Sequence, residues 1–204
     1  MLGLPPIGLT RQSSLVSSKL LLSQTDNEEN VEVSFQRDFE DLGLIGSGTF
    51  SEVYLARDKN LSNELFAIKK SKRQFKSKKD RDLLLNEVKN MKKLGSSQYI
   101  IKLVKAWQEN GFFYVQIDFA EKGTLEDLLC ELSNKGEKVP DTSIWKICHD
   151  ISCGLKHIHS FGLVHLDIKP ANILIDSSGI LKIGDFGMTT TQGTGSDSNE
   201  GDQR

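Results

Sequence analysis

HLDIKPANILIDSSGILKIGDFG, residues 165–187, is the stretch on which the reading of this chain turns. Asp167, Lys169 and Asn172 lie between Leu163-Val164 and Ile173-Leu174-Ile175, and Asp185 follows Leu181-Lys182-Ile183-Gly184. Polar groups set in an apolar frame are costly unless each finds a partner. For two carboxylates, an ammonium and an amide at this spacing, the natural partners are a substrate hydroxyl, a triphosphate and magnesium. Seven letters are specified: His165, Asp167, Lys169, Asn172, Asp185, Phe186 and Gly187. Chance would produce such a match on the order of once in 10⁹ positions.

The spacing resembles the catalytic loop and metal-binding DFG triplet of a eukaryotic-type protein kinase. Working outward, the rest of the chain supplies the parts that such a resemblance demands. Gly46-Ser47-Gly48-Thr49-Phe50-Ser51-Glu52-Val53 lies between two expected strands, FEDLGLIGSG and EVYLARDK. Glycines there let backbone N–H groups approach phosphate oxygens. A GxG by itself also fits a tight hairpin or a dinucleotide site. A dinucleotide site needs a helix straight after the glycines, and a strand follows instead. The usual third glycine is Ser51, which should stiffen the flap slightly.

Lys69 ends FAIK on a third strand, ELFAIKKS, where it reads equally as one more solvated lysine beside Lys70 and Lys72. Glu87 tips the balance. It falls on the apolar stripe Leu84, Val88 and Met91 of a helix expected over 78–94, where an unpaired carboxylate is expensive. An ion pair with Lys69 would satisfy it and hold the ammonium against the nucleotide's phosphates. Asn86 and Lys89 fall off the stripe and read as surface residues. Gly95 can close the helix in a left-handed cap.

Two more strands are expected near 101–107 and 112–118. Thr124 with Asp127 offers a capping box for a short helix. A longer helix covers about 141–160, with Ile144, Ile147, Ile151, Leu155 and Ile158 on one buried stripe. A small hairpin should bracket Ser177-Ser178-Gly179. Residues 1–33 are Ser/Asn/Glu-rich with little periodicity and read as a disordered leader. The polar, Gly/Ser/Thr-rich run after Gly187 reads as an activation segment. The expected division is leader 1–33, small lobe 34–120, the start of the large lobe 121–187, and activation segment 188–204.

Composition narrows the alternatives. The chain has 204 residues, 37% hydrophobic and 26% charged, with a formal net charge of −2. That balance supports a core and argues against a nonspecific nucleic-acid binder, which would carry a basic excess. Cys130, Cys148 and Cys153 form no CxxC pair and read as reduced, partly buried thiols of an intracellular protein. No apolar run reaches the ~18 residues of a membrane span. MLGLPPIGL lacks a positive n-region and makes a poor signal peptide.

Within the kinases, the chain resembles the Wee/Myt type, the cell-cycle inhibitors that phosphorylate cyclin-dependent kinases. The resemblance runs from about Phe35 to Arg204. It rests on FQRDFEDLGLIGSGTFSEVY, AIKKS, the Ala106-Trp107 pair of VKAW, GLVHLDIKPANI, KIGDFG and the closing EGDQR (Glu200, Gly201, Asp202, Arg204). It implies a bilobal α+β fold, with a five-stranded antiparallel sheet and one large helix in the small lobe. It also implies ATP and Mg²⁺ as cofactors, and an intracellular monomer of nucleus or cytoplasm acting on a protein substrate.

By that resemblance, Asp167 would be the catalytic base and Lys169 would neutralise charge on the transferring phosphoryl group. Lys69 and Glu87 would position the nucleotide, and Asn172 and Asp185 would hold the metal. Ile45, Gly46, Ser47, Gly48, Val53, Ala67, Asp118, Ala120 and Leu174 would line the nucleotide site, with Ile117 as gatekeeper and Asp118 to Ala120 on the hinge. His165 and Phe186 read as packed core residues, Phe186 against Met91 and His165. Leu166 stands where many kinases carry the arginine that pairs with a phosphorylated activation segment, so that clamp should be missing. The IKPAN sequence looks like a serine/threonine loop, yet the resemblance implies an inhibitory tyrosine, with the adjacent threonine, as acceptor. The stretch from Phe39 is short for two complete lobes. It is therefore expected to be marginally stable and poorly active on its own, or to serve as a nucleotide-binding regulatory fragment.

Overall fold

The computed structural model describes residues 33–60, 64–74, 78–191 and 193. The expected leader, apart from residue 33, lies outside them, as does the EGDQR motif. The first described element is a single helical turn, α1 (Phe35–Asp38). Five antiparallel strands then build one sheet: β1 (Phe39–Ser47), β2 (Ser51–Asp58), β3 (Leu65–Ser71), β4 (Leu103–Glu109) and β5 (Phe112–Asp118), in the order β1-β2-β3-β5-β4. Between β3 and β4 runs α2 (Lys78–Leu94).

The period-2 alternation of β5 gives the sheet two apolar faces. Phe113 and Val115 pack with Val88 of α2. Tyr114 points the other way and stacks on Trp107 at 5.1 Å, with Trp107 in turn stacked on Phe39 at 5.7 Å. The chain before β1 covers this second face. Phe35 stacks on Tyr114, while Glu109 accepts hydrogen bonds from the Ser34 hydroxyl (2.6 Å) and the Phe35 N–H (2.8 Å). Burial pushes the Glu109 carboxyl up, but those two donors outweigh it and hold it below its ordinary value.

The helical part begins with α3 (Leu125–Asn134), closed at its start by the expected capping box. Asp127 N–H donates to the Thr124 hydroxyl oxygen (3.0 Å) and Thr124 N–H to the Asp127 carboxylate (2.9 Å). Then come α4 (Asp141–Ser160), β6 (Leu163–Val164), a 3-10 turn (Pro170–Asn172) and the hairpin β7 (Ile173–Ile175) and β8 (Leu181–Ile183). A second 3-10 turn (Phe186–Met188) and β9 (Thr190–Thr191), paired with β6, complete the described chain. Gly95 caps α2 with φ +63°. This is the α+β arrangement anticipated from the motifs: a five-stranded antiparallel sheet with one packed helix, followed by a mainly helical part.

Three details differ from expectation. The fourth strand starts at Leu103 rather than 101, because residues 99–101 pair with β8 instead: Ile101 N–H donates to Ile183 O (3.0 Å) and Ile183 N–H to Tyr99 O (2.9 Å). The buried line of α4 is Asp150, Gly154 and Ile158, while Ile147, Ile151 and Leu155 flank it half-buried and Ile144 is 45% exposed. The line is rotated because α4 approaches β8 closely at Gly154. A Cβ added there would sit 2.8 Å from Ile183 Cδ1 and 3.0 Å from Tyr99 O. Finally, Cys130 and Cys148 are exposed, and only Cys153 is partly buried, since the first two lie off these contact faces.

Asp150 locks α4 to the hairpin. Its carboxylate accepts from Leu181 N–H (3.1 Å), from Lys146 and from His149 Nδ1 (2.9 Å). Burial raises its pKa, and those three donors together bring it below the ordinary value. A carboxyl depressed on folding contributes stability present above its unfolded pKa of about 3.9 and lost as pH falls through the lower folded value. Asp150→Ala should cost about 1–3 kcal/mol at neutral pH by orphaning the buried Leu181 N–H. In urea unfolding followed from pH 7 to pH 2, the gap between the two proteins should narrow below about pH 4, as the part that depends on an ionised carboxylate is lost.

Candidate active site

Register places the lysine. β3 runs antiparallel between β2 and β5, with Lys69 opposite Val53 on one side and Val115 on the other. Val115 faces α2, so Lys69 does too. On α2 the stripe that packs Val88 against Phe113 and Val115 carries Glu87 inward, to 4% exposure. Lys69 Nζ donates to Glu87 Oε1 at 2.8 Å and to Asp185 Oδ1 at 3.3 Å. Burial disfavours the ammonium, yet the two carboxylates raise its pKa above the ordinary value, so it stays a cation. Buried pairs of this kind lose several kcal/mol when one partner is removed.

Asp185 reaches this point by a constrained backbone. Its φ is +56°, a left-handed conformation that costs a non-glycine residue roughly 1–2 kcal/mol. Phe186, fully buried, anchors it: its ring meets His165 edge-on at 5.1 Å and shares the main core cluster with Met91. His165, 1% exposed, donates from Nε2 to Gly184 O (2.9 Å) and accepts Asp167 N–H at Nδ1 (3.3 Å). Burial lowers its pKa, and both ring nitrogens are used by a neutral ring. It is a packed histidine.

The loop 165–172 makes the second cluster. Lys169 Nζ donates to Asp167 Oδ2 at 2.8 Å, and Asn172 Nδ2 donates to the same oxygen and to Asp167 O, each at 2.9 Å. The Lys169 hydrogen bond, with help from Asn172, holds the Asp167 carboxyl below its ordinary pKa. Oδ1 of Asp167 takes no part in these bonds. Leu166, exposed and at φ +65°, supplies no cation. The two clusters are joined through Gly184, whose N–H donates to Asn172 O (2.9 Å) while its carbonyl accepts from His165. Asn172 and Asp185 are thus fastened one residue apart across the β7–β8 end. A Cβ at Gly184 would lie 2.9 Å from Leu174 Cδ1, so a larger residue there would need the leucine tip to shift.

The residues expected to contact a nucleotide fall on the following elements. Ile45, Gly46 and Ser47 end β1, Gly48 opens the turn, and Gly48 N–H donates to Ser51 O at 2.9 Å. Val53 is on β2, Ala67 on β3 directly opposite Ile117, and Asp118 ends β5 before buried Ala120. Burial raises the Asp118 pKa against opposing Lys102 and Lys182. Leu174 bridges to Thr124, just past this connection.

The donors fit magnesium carried by a triphosphate. Asn172 has its NH₂ committed to Asp167, leaving Oδ1, and Asp185 adds a carboxylate, both hard oxygen donors. Magnesium in such sites takes one or two protein ligands, with phosphate and water completing the octahedron. Among the described residues no cluster of three His, Cys, Asp or Glu forms a closed cage.

One tie was invisible in the sequence. Asn90, 8% exposed, donates from Nδ2 to Thr189 O at 3.1 Å, and Asn86 Nδ2 lies 3.5 Å from the same oxygen. Asn86 is exposed as anticipated, but it is not merely a surface residue. The available signal was spacing: 86 and 90 are i and i+4 on the helix that carries Glu87.

A small twisted sheet with one packed helix, a lysine–glutamate pair beneath a glycine turn, and an Asp-Lys-Asn loop beside Asp185 define a protein kinase. The family described as protein kinase domain matches residues 39–202, and the chain belongs to that family. Kinases of the Wee1 type are among its relatives. It is 39% identical over 74% of its length to the mitosis inhibitor protein kinase wee1 of Schizosaccharomyces pombe, covering 17% of that protein. It is 35% identical over 80% of its length to Wee1-like protein kinase 2 of Gallus gallus, covering 33%. A probable protein kinase of Dictyostelium discoideum is 41% identical over 81% of the chain, which covers 47% of it. The chain therefore spans less than half the length of these relatives.

Proposed function

We propose that this chain is the nucleotide-handling and catalytic portion of a Wee-type protein kinase. It transfers the γ-phosphoryl group of ATP to a hydroxyl on a cyclin-dependent kinase, at the inhibitory tyrosine of that protein's glycine loop and the adjacent threonine, inside the cell. The observation that carries this reading is the convergence of Glu87 and Asp185 on Lys69 beside the Asp167–Lys169–Asn172 cluster. Only a polyanion with its counter-cation gives all these groups a use at once.

Magnesium ATP, when bound, supplies the phosphoryl group and the leaving diphosphate. Lys69, held by Glu87, would bind the α- and β-phosphates. Asn172 and Asp185 would hold the metal through oxygen. The glycine turn 46–48 would cover the phosphates, its glycines letting the backbone come close to them, and Ile45, Val53, Ala67 and Leu174 would sandwich the base. Asp167 orients the acceptor hydroxyl through Oδ1 and takes its proton there. Lys169 offsets negative charge developing on the transferred group.

The test is transfer of labelled phosphate to a cyclin-dependent kinase, followed by identification of the acceptor residue. Phosphotyrosine in the glycine loop is the expected product. Transfer to serine elsewhere, or to no residue of that protein, overturns the substrate assignment.

A further inference from the structure

We propose that Asn90 is a positioning residue for this site: it fixes where Glu87 stands by fastening α2 to the segment just after Asp185-Phe186-Gly187. The proposal rests on the kinase reading above and adds to it a tether that needs no phosphate.

The contacts form a closed ring. Lys69 bonds Glu87 of α2 on one side and Asp185 on the other. Three residues beyond Glu87, on the same helix, Asn90 donates to the carbonyl of Thr189, four residues beyond Asp185. Besides the core packing that Phe186 shares with Met91, polar groups link the helix to the segment through the Lys69 ammonium and directly through Asn90. The ammonium arm must also serve incoming phosphates, so it cannot by itself fix the spacing. The direct arm can, because it is buried: Asn90 is 8% and Thr189 2% exposed. Thr189 is held rigidly in turn, its N–H donating to Phe186 O at 3.2 Å.

A buried amide bonded to a main-chain carbonyl is worth its full desolvation cost if the helix swings away, because both groups are then orphaned without water. Hydrophobic packing alone lets a helix slide along a sheet; a directional bond does not. Asn86, one turn earlier, offers a second donor to the same oxygen from the exposed side. Leu166 has no guanidinium with which to hold the segment through a phosphorylated residue. The asparagine tether performs that fastening from the helix side, constitutively.

A double-mutant cycle on Mg·ATP binding by the full chain separates positioning from bulk structure. Asn90→Asp keeps the volume and removes both N–H donors. It should weaken Mg·ATP binding about tenfold when Glu87 is present. In a Glu87→Gln background the same change should alter binding by less than about twofold, since the tether acts through Glu87. Should Asn90→Asp fail to give a cooperative melt, Asn90→Ser, which is smaller and uncharged, goes through the same cycle with the same expectation. Unchanged binding in the single variant overturns the tether. So does an equal loss in both backgrounds, which marks Asn90 as generally structural. If the unsubstituted chain binds no Mg·ATP, the proposed nucleotide-handling function fails and the tether with it. If it binds while the cycle is additive, only the tether fails.

Discussion

Replacing Asp167 with asparagine leaves Mg·ATP affinity within about twofold and lowers phosphoryl transfer by about 10²–10⁴-fold, the range typical of losing a positioned general base. The reason is local. Asp167 accepts from Lys169 and Asn172 through Oδ2, so the asparagine side chain still fills the loop and can still offer one oxygen. The missing element is the second carboxylate oxygen, which should orient the hydroxyl and take its proton. The residues proposed to hold the nucleotide's base and phosphates lie on β1, β2, β3, β7 and the β5 connection, and residue 167 is not among them. Transfer assayed under saturating Mg·ATP, with affinity measured separately, checks both halves. Transfer that survives the substitution removes Asp167 from its role.

Phe186→Ala is the substitution with the largest expected effect on stability, about 3–5 kcal/mol. Phe186 is wholly buried between His165 and the cluster containing Met91, Leu94 and Ile183. Its removal leaves a cavity at the meeting point of α2, the β7–β8 hairpin and the 165–172 loop. Phe186→Leu, which keeps most of the volume, should cost less than about 1.5 kcal/mol. Urea unfolding compares the two. The alanine variant should also lose Mg·ATP affinity, because the left-handed Asp185 is held in place by the neighbouring ring. A loss below about 1 kcal/mol for alanine would mean that this core does not brace the site.

The parts of the site that were legible in the sequence are those with local or strongly typed signals. Glu87 was found because a carboxylate on an apolar helical stripe demands a cation, and Lys69 was the cation the fold offered. The Thr124–Asp127 capping box and the Gly95 cap are each written within four residues. His165 was read as packed from its apolar neighbours, as found. What escaped was non-local. The Asn90 bond goes to a main-chain carbonyl 99 residues away, and a carbonyl carries no sequence identity. The buried line of α4 was misplaced because its close contact is made by Gly154, which an apolar-periodicity argument passes over, and by Asp150, whose burial depends on Leu181 N–H. The start of β4 was misplaced because Ile101 is apolar in either pairing, and the hairpin β7–β8 captures it.

The central claim is spatial: Lys69, Asn172 and Asp185 serve one metal–triphosphate cluster. The most direct measurement is Mg·ATP binding by thermal unfolding and titration, in the unsubstituted chain and in Lys69→Met and Asp185→Asn. At a concentration 100 times Kd, Mg·ATP should stabilise the unsubstituted chain by about 2.7 kcal/mol. Both variants should lose most of that stabilisation, and the part left in Asp185→Asn should depend less steeply on magnesium, with Asn172 as the remaining protein ligand. A chain that gains nothing at millimolar Mg·ATP, or variants that gain as much as the parent, would contradict the account.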